Sequence, residues 1–557
     1  MNALSALPPA KQDSELTSTW ECSFSLICVV LLTYGICLSC AIAYYDDYTV
    51  LWEMLSDHTV LPRQLIADGR VVGSLIQGLG FFPAKSIEQL WIPRLVSLFG
   101  ISLLLCALFR TLLRLEYSRR FAFTFAALTA FLPSFVVCAA WAAICFTAFA
   151  SVASVGAFWI AESAWRLNGG IQRLVRLLIA IGLIVIAAHI YQPNAMFYLL
   201  GVLFLLLTPK TSSREDWLRL GYHLAILIVS LVLAFLLYRA YATSDRGKLD
   251  LDIAAKASWF LNEPLGGSFC LMFFPKELGL SPAARRIALV FFVATLAVGN
   301  YLRLEDRPTT RFMRMAAACA LLPLLYAPNL IVQEQNAGYR SRGALATAVL
   351  FLVCCGVSGL LKRVQRGSQV HRVPARWALV LMLMLGFAVA ESHLINYFVV
   401  PCQFEWRFVR QDMTRLAVRQ QGPLREVVFL LPNLELPIPK SREYDEFGHL
   451  SICRYWVPQG ICGLALAEVA PKWVAPFRNA KFSTVEGNEP RPSPAQDRWI
   501  VDVRAINLLS DALYETIKNA RKAGNELKEF DVDRQAFGPS STLDKQPPST
   551  DAGEGRR

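Results

Sequence analysis

Charged residues are scarce in this sequence. Only 18% of the 557 residues are charged, whereas 55% are hydrophobic and the mean hydropathy is +0.40. Soluble globular domains carry about 25% charged residues, so the composition excludes an ordinary soluble protein. Several apolar runs approach the length of about twenty residues that a helix needs to cross a bilayer. We therefore predict a polytopic membrane protein with the lipid bilayer as its surroundings.

The motifs of the common soluble cofactors are also missing. The six histidines show no metal-ligand spacing, and the HExxH zinc motif is absent. Neither a Walker loop nor a dinucleotide fingerprint occurs, which argues against direct use of ATP or NAD. Basic inner loops can account for the net charge of +12, so we expect no nucleic-acid partner.

Apolar runs predict eleven membrane spans. They lie near 22–44, 91–110, 121–138, 139–161, 174–190, 194–208, 219–241, 287–302, 315–332, 344–361 and 377–397. Every even-numbered span is followed by a cluster of Lys and Arg, which favours the cytoplasm for all five of these loops. The N-terminal segment 1–21 is then cytoplasmic, and the region after residue 400 is external. The alternative, in which Ala41-Ile42-Ala43 is a signal-peptide cleavage site, is less consistent with the acids that precede it.

The first external loop, 45–90, combines an acid pair with a helical pattern. Apolar residues recur at helical spacing between Leu61 and Leu79, with polar residues on the other face and breaks expected near Gly69 and Gly73. This pattern is typical of a helix in the membrane interface, although packing on other loops would give the same pattern. External arginines that could bind a phosphate lie in this loop and in the loop 333–343; they are Arg63, Arg70, Arg340 and Arg342.

The acids Asp46 and Asp47 lie in Tyr44-Tyr45-Asp46-Asp47-Tyr48, directly after the first apolar run. A carboxylate at membrane depth costs about 2.5–3.5 kcal/mol, so the pair is a candidate functional site, with a solvated helix end as the alternative. Adjacent helical residues diverge by about 100°, so we expect one of the two acids to be catalytic. Glu334, at the outer end of the ninth predicted span, is a third acid that could line the same site.

These residues resemble the GT-C membrane glycosyltransferases. The sequence of residues 44–48, followed by Arg63 and by Asp68-Gly69-Arg70, is similar to the bacterial glucosyltransferases that modify O-antigen. Tyr444-Asp445-Glu446-Phe447-Gly448 adds to this resemblance, which covers residues 20–510. It implies a mainly α fold: a polytopic transmembrane helical bundle of GT-C type with a small external α/β C-terminal domain.

The resemblance implies transfer of a sugar, with glucose the leading candidate, from a polyprenyl-phosphate donor to an envelope glycan. The site would face the periplasm of a bacterial inner membrane. By this resemblance Asp47 is the expected general base, and Asp46 would bind the acceptor or hold a divalent cation such as Mg or Mn. Arg63, Arg70, Arg340 and Arg342 would bind the phosphate, and Glu334 the substrate.

The region after residue 400 reads as a small soluble domain over 401–525, attached to the membrane domain of 22–400. A helix over 403–420, buried strands at 426–431 and 498–503, and a helix over 505–523 predict an α/β fold. Cys453 and Cys462 could form a disulfide outside the cytoplasm, with Cys402 as a competing partner. The tail 526–557 has the composition of a disordered segment.

Two other functions fit a protein of this kind. A transporter or flippase of lipid-linked glycans would place ionisable residues near the bilayer midplane, with breaks recurring in paired halves. The spans carry few charges at their centres, which weakens this alternative without removing it. A non-catalytic scaffold of envelope assembly is the third hypothesis.

The orientation can be tested at the acid pair. A cysteine introduced by Asp46→Cys should react with a membrane-impermeant maleimide in intact cells, because the loop 45–90 is external. The unsubstituted protein gives the background from its own cysteines. Labelling only after the membrane is permeabilised would mean that the assigned orientation is inverted.

Overall fold

The computed structural model describes most of the chain. It covers residues 9–56, 63–208, 214–243, 248–250, 252–273, 281–365, 372–420, 422–431, 450–486, 492–493 and 495–504. Helices dominate this part of the chain, and a small parallel sheet lies near its C-terminal end. The predicted helix 505–523, the motif 444–448 and the tail 526–557 lie outside the described residues.

Twenty-two α-helices occur in the described residues, numbered here in chain order. The first half contains α1 Pro9–Tyr34, α2 Ile36–Ser39, α3 Asp46–Ser56, α4 Arg63–Ala67, α5 Val71–Phe81, α6 Trp91–Arg114, α7 Arg119–Ala130, α8 Pro133–Ala140, α9 Thr147–Trp165, α10 Ile171–Ala195 and α11 Tyr198–Leu206. The second half contains α12 Arg214–Tyr241, α13 Ile253–Phe260, α14 Gly266–Phe273, α15 Pro282–Arg303, α16 Pro308–Leu324, α17 Ala327–Ile331, α18 Gly343–Gln365, α19 Arg372–Leu394, α20 Val400–Arg419, α21 Pro458–Val469 and α22 Val474–Asn479.

Seven helical stretches in the described residues are long and apolar enough to cross a membrane. They are Ile87–Arg114, Ala142–Trp165, Ile171–Ala195, Arg214–Tyr241, Ala283–Arg303, Tyr339–Arg363 and Val380–Arg419. The pair α7 and α8, bent by 54°, adds an eighth if it is one span. These helices indicate a membrane protein.

The structure does not confirm the predicted number of eleven spans. In the described residues, no single apolar helix of spanning length occupies any of three predicted spans, namely 22–44, 194–208 and 315–332. Tyr191 is non-helical and Pro193 lies beside it, so the helix that follows is only nine residues long. The third of these segments is divided between α16 and α17, with Pro323 near the end of the first helix and Pro328 in the first turn of the second. A hydropathy average misses such breaks, because proline removes a backbone donor without lowering apolarity.

The helical pattern predicted in the segment 45–90 is confirmed as two helices, α4 and α5. The chain turns between them at Gly69, whose φ of +78° favours glycine. The second predicted break, at Gly73, is wrong, because α5 runs through this residue. A Cβ atom at Gly73 would lie 2.6 Å from the carbonyl oxygen of Ile190, so this glycine allows close packing on α10.

The C-terminal sheet contains three parallel strands in the order β2-β1-β3. Its strands are β1 Glu426–Leu431, β2 Lys481–Glu486 and β3 Arg498–Asp502. The central strand, β1, is almost wholly buried and apolar, as expected for a parallel strand covered on both faces. Strands β1 and β3 confirm the sequence prediction, whereas β2 was not predicted. Residue 401 falls within α20, which continues the helical stretch Val380–Arg419.

The C-terminal region packs directly on α3, the helix that begins with the acid pair. Gly460 of α21 lies so close to α3 that a Cβ atom would approach the backbone of Tyr48 to 2.9 Å. A Cβ atom at Gly463 would lie 2.8 Å from the Trp52 ring. Small residues at these two positions therefore let α21 and α3 come into close contact.

Two glycines in membrane helices offer a matched test of helix packing. A Cβ atom at Gly299 of α15 would lie 2.2 Å from the carbonyl oxygen of Gly356 in α18, whereas one at Gly182 of α10 meets nothing within 4 Å. We expect Gly299→Ala to destabilise the protein by about 1–3 kcal/mol through overpacking. Gly182→Ala should be neutral or stabilising by up to about 1 kcal/mol, because alanine is the better helix former. Thermal unfolding in detergent measures both changes, and equal shifts would contradict the packing of α15 on α18.

Candidate active site

A cavity of about 1520 Å³ lies between the C-terminal region and the ends of several helices. Six of the seven predicted site residues line it: Asp46, Arg63, Arg70, Glu334, Arg340 and Arg342. They come from α3, α4, the α4–α5 turn and the segment 334–342. The structure thus brings together residues nearly 300 positions apart in sequence. The seventh, Asp47, is not among the lining residues.

A turn at Tyr45 directly precedes the two acids. This residue has a φ of +43°, a left-handed conformation that is costly for a non-glycine residue. Helix α3 begins immediately afterwards, with Asp46 and Asp47 in its first turn. Because adjacent helical residues point in different directions, one side chain faces the cavity and the other faces the interior.

Asp47 is completely buried, and its carboxylate is engaged by the surrounding backbone. The N–H groups of Tyr44, Ala142 and Ala143 donate to its oxygens at 3.0, 3.3 and 2.6 Å. Burial raises the pKa of the Asp47 carboxyl to about 7, while the Arg94 guanidinium and these N–H donors oppose that rise. Because its oxygens accept these hydrogen bonds inside the protein, Asp47 connects the backbone at Tyr44 with that at Ala142 and Ala143.

Arg94 is the charged partner of Asp47. Its Nη2 atom lies 3.6 Å from the Asp47 carboxylate, and both side chains are fully buried. The same guanidinium donates to the carbonyl oxygens of Ile42 at 2.6 Å and Ala140 at 2.9 Å. The pair therefore links the segment 42–47, the end of α8 and helix α6. In the sequence, Arg94 lies just inside the second predicted span, and its pairing with Asp47 was not predicted.

Asp46 lies on the cavity wall. Its Oδ1 atom accepts a hydrogen bond of 2.9 Å from Trp456 Nε1, which belongs to the C-terminal region. Access to the cavity is what a general base needs, because it must reach the proton that it removes. Of the two acids only Asp46 lines the cavity, so Asp46 rather than Asp47 has this access, contrary to the expectation from the resemblance.

The predicted arginines lie beside aromatic rings. Arg340 lies 4.4 Å from the ring centre of Trp141, and Arg70 lies 5.0 Å from that of Tyr191. Arg70 also donates to Gln192 Oε1 at 3.1 Å. Such contacts fix the direction of a guanidinium, and these two groups remain on the cavity wall. The arrangement is suited to binding an anion with two or more oxygens.

Other residues of the cavity were missed by the sequence analysis. Arg454, Tyr455 and Trp456 form a short run at one wall, Arg478 lies beside the Trp52 ring at 4.8 Å, and Trp141 lies on the helical side. The basic and aromatic run at 454–456 is visible in the sequence. Its link to Asp46 is not, because 410 positions separate Trp456 from that acid.

A second, apolar groove of about 750 Å³ lies next to the cavity. It is bounded by parts of α13, α14, α15, α16 and α18 and by the π-helical turn Leu261–Leu265. Leu261 and Leu265 line the groove, whereas Glu263 between them lines the polar cavity. In the same way, Ile331 lines the groove and Glu334 the cavity. The segments 261–265 and 331–334 therefore lie between the apolar groove and the charged cavity.

The acid pair does not fit a divalent cation. The Asp47 oxygens face backbone N–H groups and Arg94, and one oxygen of Asp46 faces the Trp456 N–H, so the two carboxylates offer no shared set of oxygen ligands. Cys37 and Cys40 have C-x-x-C spacing. However, no group of three or more His, Cys, Asp or Glu in the described residues could hold a metal ion.

The predicted disulfide between Cys453 and Cys462 does not form. Neither residue is in a disulfide, nor is the proposed competitor Cys402. Cys453 lies in the short turn Ser451–Cys453, and Cys462 is buried within α21. Both thiols are buried, and burial raises the pKa of Cys453 to about 12, which keeps this thiol protonated and unreactive.

No protein-family model and no curated protein matches this chain.

Because Asp47 is buried against Arg94, we expect substitutions of the two acids to differ in their effect on the free energy of unfolding. Asp47→Ala would leave Arg94 and three N–H groups without their acceptor, and we expect a loss of about 3–5 kcal/mol. Asp46→Ala removes a hydrogen bond at the cavity wall and should cost about 0.5–1.5 kcal/mol. Thermal unfolding of both variants in the same detergent makes the comparison. An Asp47→Ala protein as stable as the Asp46→Ala protein would mean that the Arg94 pair does not hold the fold.

Proposed function

We propose that this protein is a membrane glycosyltransferase of GT-C type. It transfers a sugar, with glucose favoured by the sequence resemblance, from a polyprenyl-phosphate donor to a cell-envelope glycan. The observation that carries the proposal is one cavity in which Asp46 and several arginines meet beside an apolar groove. An acid, a set of phosphate-binding cations and a place for a lipid chain are the parts that this reaction requires.

The donor phosphate binds on the helical side of the cavity. Arg340 and Arg342 belong to the short helix Tyr339–Arg342, directly before α18. Arg63 is the first residue of α4, and Arg70 directly precedes α5. Arginine can contact two phosphate oxygens at once. As the bond between sugar and phosphate breaks, negative charge grows on the leaving phosphate, and fixed guanidinium groups stabilise it without reorganising.

The lipid chain of the donor occupies the apolar groove. The groove is lined almost entirely by hydrophobic side chains, with Lys256 and Asp250 at its polar edge. Lys256 donates to the Val332 carbonyl oxygen at 2.6 Å and lies 3.3 Å from Asp250, so its charge is already compensated. Burial of isoprenoid carbons supplies about 25 cal/mol per Å², while Glu263 and Glu334 mark the start of the polar site.

Asp46 is the general base of the transfer. An acceptor hydroxyl oxygen attacks the anomeric carbon, its proton passes to the Asp46 carboxylate, and the electron pair of the broken bond stays on the polyprenyl phosphate. Carboxylates placed near the reacting carbon also stabilise its oxocarbenium character. Asp47 has a structural part in this scheme: with Arg94 it fixes the turn from which Asp46 reaches the cavity.

The proposal places the reaction on the periplasmic face of a bacterial inner membrane. This location follows from the basic loops after the even-numbered predicted spans and from the family resemblance. A transporter of lipid-linked glycans would use the same groove, but it would not require a base at position 46. The two functions therefore differ in their response to loss of this carboxylate.

Loss of the carboxylate at position 46 tests the proposal. We expect Asp46→Asn to lower transfer from undecaprenyl-phosphate glucose by a factor of about 10²–10⁴, the usual contribution of a general base. Purified protein in proteoliposomes, with radiolabelled donor and deacylated lipopolysaccharide as acceptor, gives the rate. The thermal unfolding midpoint should stay close to that of the unsubstituted protein.

Glu21→Gln is the matched control, because this exposed acid lies in α1 and outside the cavity. It should leave the rate unchanged. An Asp46→Asn protein that still transfers sugar at the normal rate would exclude this mechanism. Loss of transfer in Asp47→Asn alone, with an unchanged unfolding midpoint, would return the base to Asp47.

A further inference from the structure

Two aromatic side chains of the C-terminal region are unusually exposed at the cavity. Tyr455 is 69% exposed and Trp456 is 40% exposed, yet both line the same cavity as Asp46. Their ring centres are 5.0 Å apart and their planes are at 85°. Two large rings at right angles present one open face and one edge, and exposed aromatic area of this kind commonly marks a binding surface.

The segment that carries these rings is held firmly against the acid pair. Ser451 Oγ accepts a hydrogen bond of 3.0 Å from the backbone N–H of Tyr45, and Thr49 Oγ1 donates to the Trp456 carbonyl oxygen at 3.3 Å. The Arg454 guanidinium lies 5.4 Å from the centre of the Tyr45 ring. The aromatic pair thus has a fixed position relative to α3, which is a requirement for positioning a ligand.

Exposed Tyr and Trp are also common at membrane interfaces, where they anchor a protein in the headgroup region. The polar edge of Trp456 does not fit that role. Its N–H donates to Asp46 Oδ1 at 2.9 Å and is therefore directed at the protein's own acid rather than at lipid. The contact connects the aromatic surface to the reacting centre by a single hydrogen bond.

The cavity also has two chemically different sides. The apolar groove and the segment with Arg340 and Arg342 lie on the helical side, where the proposed function puts the donor. Tyr455 and Trp456 belong to the C-terminal region, together with strand residues such as Phe482 and Thr484 that line the cavity. The aromatic side of the cavity is therefore available to the second substrate, the acceptor glycan.

We propose that Tyr455 and Trp456 form a stacking platform for a sugar ring of the acceptor glycan, and that Trp456 positions Asp46 toward the acceptor hydroxyl. This inference rests on the proposed function, of which it names the acceptor subsite. The apolar C–H face of a pyranose packs on an aromatic ring, while its hydroxyl groups remain free for hydrogen bonds. A sugar on Trp456 lies next to the carboxylate that takes its proton, so binding and proton transfer are coupled.

Binding without donor tests the platform directly. The probe is deacylated lipopolysaccharide, titrated into protein in nanodiscs and followed by calorimetry. We expect Trp456→Ala and Tyr455→Ala each to weaken binding about tenfold, the size of a lost aromatic contact. Trp456→Phe keeps a ring and should bind within about threefold of the unsubstituted protein. Trp20→Ala is the matched control, because Trp20 is 65% exposed and lies outside the cavity.

Steady-state transfer then separates stacking from positioning. Trp456→Ala should raise the KM for the acceptor about tenfold and leave the KM for the donor unchanged. Trp456→Phe should keep the acceptor KM and lower kcat, because it retains the ring and loses the N–H that orients Asp46. A purely structural role would instead change both KM values and the unfolding midpoint.

Several results would overturn the platform. The first is unchanged glycan binding in both alanine variants. The second is an equally weakened glycan binding in Trp20→Ala, which is expected of a membrane anchor. The third is a change in the donor KM as large as the change in the acceptor KM. Failure of the proposed function has a different signature. In that case the unsubstituted protein transfers no sugar, whereas the binding experiment still reports whether Tyr455 and Trp456 hold the glycan.

Discussion

The buried ion pair of Asp47 and Arg94 is the contact on which the site depends. Its atoms hold the segment 42–47, the end of α8 and helix α6 together through charge and hydrogen bonds. A buried pair of this kind is a weak source of net stability, but it is expensive to break, since either partner left alone is a charge without compensation. It therefore fixes one local arrangement of the chain. The left-handed turn at Tyr45 persists in this setting, because the surrounding contacts over-determine it.

This arrangement gives the two neighbouring acids different surroundings. Asp47 has its oxygens turned to backbone N–H groups, whereas Asp46 begins α3 at the edge of a large polar cavity. The C-terminal region completes that cavity by packing α21 on α3 and by bringing Trp456 to Asp46. A helical bundle thus supplies cations and an apolar groove, and a small α/β unit supplies aromatic surface. In the proposed reaction these parts correspond to the donor and the acceptor.

Much of the secondary structure could be predicted from local pattern. Strand β1 is a nearly continuous apolar run, β3 has an apolar centre, and the break between α4 and α5 is marked by Gly69. The number of spans was not predictable in the same way, because proline and non-helical residues such as Tyr191 interrupt runs that remain uniformly apolar. Strand β2 was missed since Lys481–Glu486 is mixed in polarity and becomes a strand only by pairing with β1.

The sequence by itself determined the membrane character of the chain, since hydrophobic content depends on composition alone, and it singled out six residues that line the cavity. Only the tertiary structure decided which acid faces the cavity. That choice depends on a backbone turn at Tyr45 and on burial of Arg94 about fifty positions away, and neither leaves a local pattern. The same holds for Trp456, whose contact with Asp46 spans 410 positions. Long-range contacts of this kind arise from packing, because helices and strands must first be brought together before their side chains can meet.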